Sequence, residues 1–191
     1  MFLSNTLNYD FFSFGLKKLI LYFKSTILSS FFNLSNTICI YIYYNKYNLF
    51  YILNILNKSS FFRYKSCTEF TVVDYLGKSY RYKIIYIFLS VALNNRLTLN
   101  FFYNNSLQNS LDLNLNSFNY LFSSLNWMER EVFDMFGFYF FNHSNLKPIL
   151  LDYGFNYKPL LKTYPTSGFV EIYFSSILSE CRFIPLNEVY K

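Results

Sequence analysis

Apolar residues change their spacing several times along the chain, and each change marks an element. From Phe11 to Phe32, Leu16, Leu19, Ile20, Phe23 and Ile27 recur at three- and four-residue intervals with Lys17, Lys18 and Lys24 on other faces, which predicts an amphipathic helix. Ser35-Asn36-Thr37 breaks that pattern, and the β-branched and aromatic run Ile38 to Tyr44 predicts a strand. Helical spacing returns over Lys46 to Asn57 through Leu49, Ile52, Leu53 and Leu56. Strands are then expected over Phe61 to Val73, Tyr80 to Leu89 and Arg96 to Tyr103, with hairpin turns at Asp74 to Ser79, around Gly77, and at Asn94-Asn95. Asn104 to Asn119, rich in Asn, Ser and Leu, reads as a hinge-like loop followed by the start of a helix. In the next helix Asn126 is placed to cap the N-terminus, Glu129 to close a capping box, and Gly137 to stop it. Beyond Pro148 the breakers Gly154, Pro159, Pro165, Gly168 and Pro185 predict an extended run. The pattern as a whole predicts an α+β fold: a mixed β-sheet with packed helices in residues 1–147, and an extended C-terminal tail over 148–191.

Composition narrows the class. The chain has 191 residues, 53% of them hydrophobic and only 15% charged, which is enough apolar material for a buried core and argues against disorder. Phe (25) and Tyr (20) abound beside many Asn, whereas Gly (5), Pro (4) and the single Ala92 are scarce. Codons for the abundant residues are rich in A and T, so an AT-biased genome such as an organelle's accounts for the mixture. Functional meaning therefore cannot be read from every aromatic. The net charge of +6 is uneven, since residues 1–100 hold 11 Lys+Arg against 3 Asp+Glu and residues 101–191 hold 6 against 8. A basic half suits nucleic acid or an acidic neighbour, but its charges stand singly between aromatics, as on the solvated face of a sheet, and the latter reading is favoured. The uncharged stretch Ser25 to Asn45 is broken by polar residues, and the apolar run Ile84 to Leu93 is too short to span a bilayer, so no transmembrane helix is expected. Arg is missing from the chain before Arg63, so no import peptide is expected either.

The chemistry that leaves sequence marks is sparse. Glycine-rich phosphate loops and nucleophile elbows are missing. Cys39, Cys67 and Cys181 are dispersed, and with His143 they form no zinc or iron–sulfur spacing; the odd count fits a reducing compartment. His143 alone reads as a hydrogen-bonded structural residue. The densest polar group is Glu129, Arg130, Glu131 and Asp134. On a helix Trp127, Arg130, Glu131 and Asp134 share one stripe, which suggests an ion network around the Arg130 guanidinium, facing a partner, more than an acid–base pair.

The run Asn126-Trp127-Met128-Glu129-Arg130-Glu131-Val132-Phe133-Asp134-Met135-Phe136-Gly137, followed by His143, Lys147-Pro148-Ile149-Leu150, Asp152-Tyr153-Gly154-Phe155, Pro159, Lys162, Pro165 and Ser167-Gly168-Phe169-Val170-Glu171, resembles the signature of the respiratory complex I thirty-kilodalton subunit family. Thr71 to Asp74 and Arg81 to Tyr86 resemble that family's central strands, so the likeness covers about Cys67 to Phe174. The chain departs from the family at Ser144, Asn145, Lys147 and Pro148, and at Lys158, Leu161 and Thr163 where histidine, arginine and aspartate are common. The resemblance implies a non-catalytic subunit of proton-pumping NADH:ubiquinone oxidoreductase. Its place would be the peripheral quinone-reducing module, on the matrix side of the mitochondrial inner membrane, and its gene would be mitochondrial. It further implies packing on the forty-nine-kilodalton subunit and other quinone-module subunits, through the signature residues and the tail. No cofactor is then expected in this chain, the FMN and iron–sulfur clusters lying in partner subunits. The alternative that composition leaves open is an organellar RNA-binding or ribosomal protein; the resemblance implies no nucleic acid.

Overall fold

The structure is a computed structural model and describes residues 27–32, 37–43, 46–103 and 113–186. Its elements in chain order are β1 (Ile27–Phe32), β2 (Thr37–Tyr43), α1 (Lys46–Lys58), β3 (Ser66–Asp74), β4 (Tyr82–Ser90), β5 (Asn95–Tyr103), β6 (Asn114–Asn116), α2 (Leu125–Phe136), β7 (Tyr139–Phe141), β8 (Val170–Ser175) and β9 (Glu180–Pro185). Five strands form one sheet in the order β1-β2-β5-β4-β3. Neighbours run antiparallel except β2 and β5, which are parallel because α1 and the β3–β4 hairpin lie between them in sequence. Two short pairs stand outside it, β6 parallel to β7 and β8 antiparallel to β9.

Strand alternation decides where the core sits. On β4, Tyr82, Ile84, Tyr86 and Phe88 are buried while Lys83, Ile85, Ile87 and Leu89 are half-buried on the opposite face. The buried face meets Leu49, Ile52, Leu53 and Leu56 of α1 and Leu125, Val132 and Phe136 of α2, together with Phe138 and Phe140 around β7. Aromatic rings fill most of this layer: Phe70 lies 4.5 Å from Tyr86, Phe88 5.0 Å from Phe122, and Tyr82 meets Phe138 edge-on at 5.2 Å. Each such side chain, fully buried, contributes about 1.5–3 kcal/mol.

The α+β architecture and the order of the central elements agree with the sequence reading, and the turns do too, with Gly77 (φ 85°) and Asn94 (φ 48°) left-handed as their hairpins require. Four expectations are corrected. Ile27–Phe32, assigned to the end of a helix, is an edge strand bonded to β2, because pairing with a neighbouring strand outweighs weak helical spacing; the rest of that helix, before residue 27, lies outside the described residues. Phe61 and Phe62 belong to the turn after α1, where Arg63 adopts φ 50°, and the strand starts only at Ser66. Asn114–Asn116 pairs with β7 instead of opening a helix, while residues 104–112 of that stretch are outside the described residues. The capping box does not form: Ser124 stands at the N-cap, with its hydroxyl turned away to donate to the Cys67 carbonyl at 2.7 Å. The tail is irregular up to Phe169 and then folds into the β8–β9 hairpin.

Candidate functional site

The signature residues converge where the tail is laid across α2. A helix leaves its last carbonyls unbonded and its C-terminus partially negative, and α2 has no basic residue in its own last turn. The tail supplies what is missing. Lys158 Nζ donates to the Asp134 carbonyl at 3.2 Å and lies over the Phe133 ring, and the Leu160 N–H donates to the Met135 carbonyl at 3.3 Å. Gly137 ends the helix at φ 81°, its N–H bonded to the Phe133 carbonyl; the absence of a side chain there admits the Lys158 stem, 3.2 Å from where a Cβ would stand. One turn earlier, the Asp134 Oδ2 accepts the backbone N–H groups of Ile149 (3.1 Å), Leu150 (2.9 Å) and Leu151 (2.9 Å). Burial raises the Asp134 carboxyl, but those three bonds and the Lys158 charge outweigh it and hold the group below its ordinary value.

Arg130 does not gather Glu131 and Asp134 into an ion network, as their stripe suggested. Its Nε donates to the Lys147 carbonyl at 3.0 Å and its guanidinium lies 5.2 Å from the centre of the Trp127 ring, so it holds the tail root by hydrogen bond and stacking. The reason is tertiary: residues 149–151 reach Asp134 first and bury it. A second carboxylate completes the clamp. Asp74, buried at the end of β3, takes a bidentate pair from Arg81 across the hairpin (2.9 and 3.1 Å) and accepts the Lys162 N–H at 3.0 Å. The sequence reading placed Asp74 only in a turn and a strand. A carboxylate and an arginine flanking one hairpin turn was the available signal, but nothing local said that Lys162 would arrive.

Glu129 faces inward, fully buried. Its Oε1 accepts the Phe118 N–H at 2.9 Å and its Oε2 the Ser117 hydroxyl at 2.5 Å, tying the segment before α2 to the helix. His143 lies beside it with both ring nitrogens committed: Nε2 is 3.1 Å from the Asn126 carbonyl, and Nδ1 accepts the Asn145 N–H at 3.1 Å. Nε2 is 3.8 Å from Glu129 Oε2, and burial pushes the carboxyl up to about 7 against the two hydrogen bonds. Of the polar residues on α2, Glu129 and Asp134 are thus buried on different sides of the helix, while Arg130 is half-buried and Glu131 exposed.

Most of the remaining signature residues are on the surface. Trp127 is 66% exposed, and Glu131 and the side chains of Lys147, Asp152, Tyr153 and Lys162 point to solvent. Asp152 accepts the Tyr153 N–H at 2.8 Å, and Gly154 sits beyond it at φ 80°. Pro159 is half-buried; Pro165 is buried and its carbonyl accepts the Gly168 N–H, with the Tyr164 hydroxyl 3.1 Å from where a Gly168 Cβ would stand. Leu161, one of the departures, packs against the core.

Residues 42–170, which take in α1, β3, β4, β5, α2 and the whole clamp, match the family described as respiratory-chain NADH dehydrogenase, 30 Kd subunit. The chain belongs to that family. It is 40% identical over 112 residues to NADH-ubiquinone oxidoreductase subunit 9 of Prototheca wickerhamii, covering 58% of this chain and 54% of that protein. To the protein of the same name from Reclinomonas americana it is 37% identical over 125 residues, covering 65% and 58%. A third relative, from Beta vulgaris, is called NADH dehydrogenase [ubiquinone] iron-sulfur protein 3 and is 38% identical over 124 residues, covering 65% and 62%. The chain therefore spans little more than half of some of the curated relatives it matches. Two solved structures share the fold. A trypsin-resistant fragment of Nqo5 has TM-score 0.55 at 18% identity, covering 69% of this chain and 98% of the fragment, and a chain of an archaeal membrane-bound sulfane sulfur reductase has TM-score 0.63 at 19% identity, covering 79% and 84%.

The donors needed for a cluster of the kind named for the beet relative are not assembled among the described residues of this chain. Cys39 on β2 and Cys67 on β3 are separated by β5 and β4, three strand spacings or ~14 Å, and Cys181 stands on the tail hairpin. Burial pushes the Cys67 thiol up to about 12, the reverse of what a thiolate ligand needs. Among the described residues no group of three or more His, Cys, Asp and Glu could hold a metal ion, and no helix is long and apolar enough to cross a membrane.

Proposed function

We propose that this chain is a non-catalytic subunit of the peripheral, quinone-reducing module of proton-pumping NADH:ubiquinone oxidoreductase, packed against the forty-nine-kilodalton subunit on the matrix side of the mitochondrial inner membrane. The family match over residues 42–170 carries this reading. The geometry supports it, since Glu129 and Asp134, two of the three carboxylates that sequence would nominate for catalysis, serve as buried acceptors and the signature builds a clamp. FMN and iron–sulfur clusters then belong to partner subunits, which carry the electrons from NADH to ubiquinone. This chain's part is positional. With its root bonded to Arg130, Asp134 and Asp74, the tail leaves the core at a set place, and the exposed Trp127, Tyr153 and hairpin present a preset surface to the partner. The AT-biased composition supports mitochondrial encoding, and the family match displaces the RNA-binding alternative.

The test is to separate gently solubilised mitochondrial membranes under native conditions and locate this chain by peptide mass spectrometry. Migration with NADH-oxidising activity in a very large complex is expected. Migration with ribosomal RNA, or as a free monomer, overturns the reading.

A further inference from the structure

Three segments meet around one enclosed carboxyl. Glu129 on α2 and the His143 ring beside it both have fully enclosed side chains, the ring coming from the loop after β7. From the segment before α2, the Phe118 N–H and the Ser117 hydroxyl donate to the two carboxyl oxygens, and the Ser117 oxygen also accepts the Asn119 N–H at 3.3 Å. The His143 loop gives the carboxyl no such bond. Its Nδ1 accepts the Asn145 N–H, so the ring hydrogen is on Nε2, where it meets the Asn126 carbonyl, and Nε2 stops 3.8 Å from Oε2. The loop is otherwise held at the surface, where the Ser144 oxygen accepts the Asn119 and Asn126 side-chain amides at 3.1 and 3.3 Å, and it begins at Asn142 with φ 61°. From β3, Cys67 faces the carboxyl, and burial, pushing that thiol up to about 12, keeps it uncharged at neutral pH. On α2 itself Arg130 turns to the Lys147 carbonyl, Glu131 is exposed, and Asp134 lies on a different side.

We propose that Glu129 is the catch of a proton-operated latch: with its carboxyl protonated, residues 142–145 close over the start of α2, and loss of the proton to water opens that loop while Ser117 and Phe118 stay bound. The unequal distribution of donors decides which segment yields. A carboxylate draws its own donors in more strongly, and the Ser117 hydroxyl serves either form, accepting from the acid and donating to the anion. A charge enclosed without water is costly, and water enters most readily from the side that donates nothing to it. Opening there breaks the Asn126, Asn145 and Ser144 contacts, which water replaces at small net cost. Burial, which raises the Glu129 carboxyl to about 7 against its two hydrogen bonds, puts the release near neutral pH. Two residues beyond the loop the Lys147 carbonyl is bonded to Arg130, so the open state leaves the tail root held by Arg130, Asp134 and Asp74.

His143 is the chain's only histidine, so its carbethoxylation by diethyl pyrocarbonate in the full-length chain, read by mass spectrometry, reports the opening. Wild type and Glu129→Gln are compared at the same pH, where they share the reagent's own pH dependence. At pH 6 the two are expected to react within twofold of each other, and at pH 8.5 the wild type at least tenfold faster. Urea at 1 M should leave the wild-type rate within twofold, because a local opening exposes little surface. Equal rates at pH 8.5, or the same ratio at both pH values, overturn the latch. A rate that climbs with urea as steeply as hydrogen exchange of the β4 amides also overturns it, since the whole fold is then opening. A second measurement needs no variant: infrared spectra of the wild-type chain should show a protonated-carboxyl C=O band at pH 6 that is gone by pH 8.5. Absence of that band at pH 6, or its persistence at pH 8.5, overturns the proposal whether or not Glu129→Gln folds. Both readouts are made on the chain alone, so their failure leaves the subunit reading standing.

Discussion

Glu129→Gln is expected to stabilise this protein at alkaline pH, although it removes one of the most buried polar side chains. Folding raises the Glu129 carboxyl from 4.5 to about 7, because its two hydrogen bonds do not repay the loss of water. A carboxyl raised on folding contributes stability that is complete below the unfolded value and lost as pH climbs through the folded one. Between pH 5 and pH 8 the wild-type chain therefore loses about 2.5 kcal/mol at this position. Glutamine keeps an acceptor for the Phe118 N–H and offers an N–H to the Ser117 hydroxyl, so its own effect is pH-independent and within ~1 kcal/mol. Urea unfolding followed by circular dichroism at pH 5, 6, 7 and 8 reads the difference. The variant should gain about 2.5 kcal/mol on the wild type across that range, equivalent to roughly 5–10 °C in Tm. A stability difference between variant and wild type that stays constant from pH 5 to 8, or runs the other way, would refute the desolvation argument.

Two further outcomes follow from the clamp. Asp134→Ala strips the acceptor from the N–H groups of Ile149, Leu150 and Leu151; these can turn to water, so the global cost should be only about 1–2 kcal/mol, while hydrogen exchange at these amides accelerates at least tenfold. Because the Asp134 carboxyl is held below 3.8, the wild-type clamp should be intact at neutral pH and release only as pH falls below that value, which the same exchange measurement reads. Gly137→Ala places a side chain at φ 81° against the flexible Lys158 stem and should cost about 1–2 kcal/mol by thermal unfolding; an unchanged Tm would mean that the helix end rearranges freely.

Periodicity and turn chemistry along the chain determined much of this protein: the central strands, α1, the left-handed turns at Gly77 and Asn94, and the stop at Gly137. These depend on interactions within a few residues, so local order suffices to specify them. The signature from Asn126 to Glu171 likewise carried the family in its order alone. What each signature residue touches was decided by tertiary structure. Glu129 and Asp134 sit on different sides of one helix, and both are buried, because residues 113–118 cover one side and 149–151 the other. Helical spacing assigns a side chain to a face, but only the folded chain says what lies against that face. The same reason explains β1, where pairing with β2 outweighs weak helical spacing. It also explains the hairpin, whose sidedness became visible only when register set Ile172 against Phe183 and Tyr173 against Arg182. Burial and pairing are properties of residues far apart in sequence, and the electrostatic character of each carboxylate follows from them.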